Sequence, residues 1–192
     1  MAVEVHVSGK PAKPRRALLG SACLLLIACI LAGAMTWTRA GQRLGALLEP
    51  PGWSISFRPP LRYIGEAGPT LFGPAYQFHG RVGAGAVATL VVYRVDVAPG
   101  ENARQLCDQI IQAYFGEQPP PGILTQTRSD VRIGTRDAVE VWDPVLDTLV
   151  RAIVLAPGDA YALTLSVHGA RIEPDLYALF DQTCTSVEFR LP

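Results

Sequence analysis

The 192 residues carry 17 basic and 17 acidic side chains, unevenly placed: residues 40–192 hold 12 arginines, no lysine and 16 acids, a net charge of −4. A mildly acidic domain lacks the cationic surface that a phosphate backbone requires, which excludes nucleic acid as the expected partner. Beyond the N-terminal apolar run about 150 residues remain, enough for one domain that folds without a metal or a dense disulfide framework.

Residues 1–16 are polar and contain prolines, and they read as a disordered cytoplasmic tail. The run from Ala17 to Thr38 has 22 uncharged residues between Arg16 and Arg39. At 1.5 Å per residue it reaches about 33 Å as a helix, enough for a hydrocarbon core of about 30 Å. Four basic residues precede it (Lys10, Lys13, Arg15, Arg16) and two, Arg39 and Arg43, closely follow. The positive-inside bias therefore predicts a single-pass anchor with residues 40–192 outside, in the periplasm or extracellular space. Two other readings are open. Ala32-Gly33-Ala34 has the small-x-small form of a signal cleavage site, and Leu26-Ile27-Ala28-Cys29 resembles a lipobox. Length favours the anchor, and all three export the domain.

Residues 39–51, ending in Pro50-Pro51, read as a linker, and the domain is expected over residues 52–192. Trp53–Phe57 alternates as a half-buried strand, stopped by Pro59-Pro60. Ala75–Arg81 is a second strand, and the glycines of GRVGAGA connect it to Ala86–Val97, apolar on both faces as a central strand is. Asn102 caps a helix running to Phe115, with Leu106, Cys107, Ile110 and Ile111 at helical spacing. Leu124–Ile133 with Thr135–Trp142, and Asp147–Ala156 with Ala160–Val167, read as two hairpins. In the last strand Tyr161, Leu163, Leu165 and Val167 share one side. Pro174 opens a second helix whose inward face holds Leu176, Leu179, Phe180 and Cys184, and Val187–Leu191 is a final strand. The predicted class is α+β, a largely antiparallel sheet with helices packed on it.

The aromatic-rich opening GWSISFRPP, the central hairpin, the helix NARQLCDQIIQAYF and the ending YALTLSV…DLYALFDQTCTSVEF resemble the PsbP/DcrB-like family, over roughly Gly52–Leu191. The resemblance implies an α–β–α sandwich around an antiparallel sheet, and a role in binding or assisting assembly. Similar domains occur in photosystem II extrinsic proteins and in exported bacterial proteins. The anchor and the missing plastid transit features argue against a photosystem subunit. No family motif carries a functional residue onto this chain.

Chemistry-bearing residues are sparse. Cys107 and Cys184 both lie in the exported domain, on inward helix stripes, and an oxidising compartment permits a disulfide between them if both helices share a face. Two buried free thiols are the alternative. No HExxH, CxxC, GxSxG, Walker or GxGxxG pattern is present, so neither a catalytic residue, nor a metal ligand, nor a cofactor site is assigned. Asp137, Glu140, Asp143 and Asp147 offer oxygens of the kind calcium takes, but without an Asp-x-Asp-x-Asp-Gly loop they read as a solvated turn. Arg132, Arg136 and Arg151 lie on neighbouring predicted strands, either as a small anion-binding row or as a solvated face paired with acids. Trp53, Tyr63, Phe72, Tyr76 and Phe78 pack in a core or line a cleft. The expected function is a membrane-anchored, non-enzymatic domain that binds another envelope protein, with a small apolar or lipid ligand as the alternative.

Overall fold

The computed structural model describes residues 43–82, 85–115 and 126–190. The expected anchor at 17–38, with Cys23 and Cys29, lies outside the described residues. Among them, no helix is long and apolar enough to cross a membrane.

The described residues form nine strands and two helices: β1 (Ile55–Ser56), β2 (Ile64–Thr70), β3 (Gly73–Val82), β4 (Ala86–Val95), α1 (Ala103–Phe115), β5 (Gln126–Ile133), β6 (Arg136–Asp143), β7 (Thr148–Ala156), β8 (Asp159–His168), α2 (Pro174–Thr185) and β9 (Glu188–Phe189). The class is α+β. Seven strands form one antiparallel sheet in the order β2-β3-β4-β8-β7-β6-β5, while β1 and β9 pair apart from it.

The period-two pattern of the strands sorts their side chains into two cores. Leu90 and Val92 of β4 join Tyr161, Leu163 and Leu165 of β8 on one face, together with Ile55, Phe57 and Phe180. Val91, Tyr93 and Val95 join Ala160 and Ala162 on the other face, where Leu106 and Ile110 of α1 pack. Thus α1 covers one face, and α2 with the β1–β9 ribbon covers the opposite one. From Leu90 to Tyr93 the β4 strand is buried on both sides, as its continuous apolar run predicts.

Helix α1 begins where the sequence places it. Asn102 Oδ1 accepts from the Gln105 backbone N–H at 3.0 Å, and Gln105 Oε1 accepts from the Asn102 N–H at 2.9 Å. This reciprocal arrangement satisfies two amides that a helix start leaves unpaired. Asn102→Ala is expected to cost about 1 kcal/mol, seen as a fall of about 3 °C in the Tm of the full chain. Pro174 sits in the first turn of α2, with Glu173 as the flanking residue.

Three features differ from the sequence reading. Residues 43–51, expected as linker, already belong to the folded unit: Leu44 bridges Pro60, Leu48 bridges Phe57, and the Leu61 N–H donates to the Arg43 carbonyl at 2.8 Å. The strand expected over Trp53–Phe57 narrows to β1, because Ser54 turns its N–H to the Tyr161 hydroxyl at 2.8 Å instead of to a strand. The edge strand β2 was not expected, since IGEAGPT has no apolar alternation and includes Pro69, which only an edge tolerates. Its Gly65 lies under the Phe78 ring of β3, where a Cβ would stand 2.6 Å from the ring, so the aromatic covers the gap a side chain would fill.

Candidate functional site

The β6–β7 hairpin sets Glu140 directly opposite Arg151. Both stand at core-facing positions, in step with Ala138 on β6 and with Leu149 and Ile153 on β7. Arg151 is fully buried and Glu140 is 2% exposed. Glu140 Oε2 accepts from Arg151 Nε at 3.0 Å and Nη2 at 2.6 Å. Arg151 Nη1 donates to Asp181 of α2 at 2.8 Å and to the Arg132 carbonyl at 3.0 Å. Its guanidinium carbon lies 5.3 Å from the centre of the Phe180 ring. Burial alone would lower the pKa of Arg151, but Glu140 and Asp181 reverse this, and the net direction is upward. A buried charge is tolerated when it is paired and its remaining protons are bonded, and this one meets both conditions.

The network reaches the surface through Tyr177 of α2. Its hydroxyl donates to Glu140 Oε1 at 3.1 Å and accepts from Arg128 Nη1 at 3.1 Å. Burial, then the Glu140 carboxylate, raise the pKa of this phenol, so it stays protonated and serves as a donor. Arg128 is half exposed and also forms two hydrogen bonds to Asp130, at 3.1 and 3.0 Å. Beside these groups lies a cleft of about 260 Å³. Its apolar walls are Trp142, Leu149, Ile172 and Pro174, and its polar end is Gln126, Arg128, Glu140 and Tyr177. Strands β5, β6 and β7 supply one side and the start of α2 the other.

The arginines expected as a row are dispersed. Arg151 is the buried member. Arg136 stacks over the Phe189 ring at 4.9 Å, and Arg132 is exposed on the opposite face of β5 from Val131 and Ile133, 3.5 Å from Asp137. The grouping by charge ignored the face on which each residue stands. The acids separate in the same way. Asp137 is exposed, Glu140 is the buried partner of Arg151, and Asp143 Oδ1 accepts the backbone N–H groups of Val145 and Leu146 at 2.8 and 2.9 Å. Asp147 accepts from the Ile172 N–H. Among the described residues no three His, Cys, Asp or Glu side chains come together as a metal site would need. Trp53, Tyr76 and Phe78 pack around Phe57 and Tyr161 in the core that faces α2, and Phe72 packs edge-on to Tyr93 on the other face.

The Cys107–Cys184 disulfide is not formed: both thiols are free and buried. They lie in different cores, because their helices cover opposite faces of the sheet. Cys107 Sγ rests on the Val139 and Val150 carbonyls at 3.6 and 3.7 Å. Burial pushes each thiol up to about 12. Both should therefore label completely once the chain is unfolded without reductant, and hardly at all while it is folded. A thiol pKa raised on folding contributes stability below its unfolded value near 9 that is lost as pH rises toward 12. Unfolding scans across that window should show Tm falling, and Cys107→Ala should flatten the slope.

Sequence reasoning missed this site, although the signal was present. Opposite charges stand at inward positions of two strands that follow one another in the sequence. No protein-family model matches the chain, and no curated protein matches it.

Proposed function

We propose that the chain is a membrane-anchored, extracytoplasmic domain without a catalytic task, and that the cleft beside Tyr177 receives a side chain of another envelope protein. The observation that carries this reading is the composition of the cleft. Trp142, Tyr177 and Arg128 are the residue types that dominate protein–protein binding energy, and here they rim one pocket whose polar end is held rigid from beneath by Arg151. The pocket, about 260 Å³, falls below the roughly 300–1,000 Å³ that encloses a drug-sized molecule. That size suits one inserted side chain. The layering, α1 on one face and α2 with a small ribbon on the other, supports the α–β–α sandwich that the PsbP/DcrB-like resemblance implies.

The test is cross-linking in living cells of the full chain with a C-terminal tag, followed by membrane solubilisation and identification of the captured protein. One reproducible partner is expected, and Trp142→Ala should abolish its capture. Capture of no partner, or of one indifferent to Trp142→Ala, removes the reading. A small apolar or lipid ligand in the same cleft is the second reading, favoured by the four apolar wall residues. Native mass spectrometry of the purified protein distinguishes it by a bound mass that Trp142→Ala removes.

A further inference from the structure

The end of the sheet at which the chain enters carries exposed aliphatic side chains. The first described residue, Arg43, is hydrogen-bonded to Leu61 through its carbonyl. Leu61 is 55% exposed and Ile64, at the start of β2, is 79% exposed. Across the sheet at this end Ile64 pairs with His79, and Arg81 pairs with Val87, another exposed apolar residue. Arg58 and Arg62 flank Leu61. Residues 43–89 hold four arginines against two glutamates, in a domain whose net charge is −4. Both glutamates face a basic group: Glu49 lies 3.4 Å from Arg190, and Glu66 lies 3.5 Å from His79. Exposed aliphatic side chains interleaved with arginines are the composition of a surface that rests on anionic lipid.

Chain length decides what can cover this surface. The apolar run ends at Thr38, and Arg43 is already fixed to the folded unit. Residues 39–42 can span at most about 14 Å. On the anchored reading, a stretch of that length keeps Arg43 close to the headgroup layer.

We propose that this end of the sheet seats on the extracytoplasmic leaflet, with Leu61, Ile64 and Val87 in the interfacial layer and Arg43 and Arg81 against anionic phospholipid headgroups. This rests on the anchored reading above. It adds an orientation: the β2–β3–β4 end faces the bilayer through its edge, and Leu71, 84% exposed at the far end of β2 and about 20 Å away, faces the aqueous side.

The full chain is reconstituted into nanodiscs of equal phosphatidylglycerol and phosphatidylcholine, with a benzophenone amino acid at residue 64 or, in a second variant, at residue 71. After illumination, lipid adducts are counted by mass spectrometry. Adducts at 64 and few at 71 are expected. Arg81→Gln should lower the yield at 64 about fivefold, and phosphatidylcholine alone should lower it further. Equal yields at 64 and 71, or none at 64, overturn the seating while leaving the anchor intact. Failure of the chain to enter the nanodisc at all overturns the anchored reading, and the seating with it.

Discussion

Arg151→Ala is expected to destabilise the protein by about 3–5 kcal/mol, because it leaves the Glu140 carboxylate buried without its countercharge. Against a typical stability of about 5–15 kcal/mol this is a large fraction. In thermal unfolding of the full chain it corresponds to a Tm lower by about 10 °C or more. The pair is not itself a large source of net stability, since both ions were taken out of water to form it. Arg151→Met combined with Glu140→Leu should therefore recover most of the loss. In that variant Asp181, whose side chain is 47% exposed, turns to water, and Tyr177 keeps Arg128 as a partner. The double variant separates two roles of the network. If it restores the Tm but not partner capture, the charges serve the cleft, through Glu140 itself or through the Tyr177 that it holds. A double variant as unstable as the single one would show that the site depends on these ions for stability itself.

Which parts of this molecule were legible depended on how local their causes are. The start of α1 was legible because Asn102 and Gln105 satisfy one another within four residues. The β5–β6 and β7–β8 hairpins were legible because each pairs with its sequence neighbour. The alternation of Tyr161, Leu163, Leu165 and Val167 correctly gave the face that joins the α2 core. By contrast, β4 lies beside β8, more than 60 residues later, and nothing in either strand names the other. The pairing of β1 with β9 joins the two ends of the unit and is equally silent in sequence. The assignment of α1 and α2 to opposite faces follows from these long-range pairings, and the fate of Cys107 and Cys184 follows from the helices. Arg151 is an intermediate case. Its burial could be read from parity with Leu149 and Ile153, but only by asking which face each arginine occupies.

Gly134→Ala should cost about 3 kcal/mol, nearly as much as opening the buried ion pair, for a reason that lies wholly in the backbone. Gly134 forms the β5–β6 turn with φ +57°, a conformation that costs an L-residue about 1–2 kcal/mol. Its N–H donates to the Cys184 carbonyl at 2.8 Å, which docks the turn onto the end of α2. A Cβ there would meet the Val187 carbonyl oxygen at 2.2 Å and the Phe189 ring at 3.0 Å. The oxygen is backbone and cannot rotate away, so the hairpin must shift, at a further cost of about 1–3 kcal/mol. Gly100→Ala is the control, with φ +91° and no atom within 4 Å of the added carbon. It should show the conformational cost alone, about 1–2 kcal/mol. Chemical unfolding of the two variants side by side yields the difference. Equal losses would mean that the turn moves freely and that its contact with α2 contributes nothing. A larger loss for Gly134→Ala has a consequence for binding, since the same hairpin carries Gln126, Arg128, Glu140 and Trp142 while α2 carries Tyr177. Displacing one against the other widens the cleft, so partner capture should weaken in Gly134→Ala and stay unchanged in Gly100→Ala.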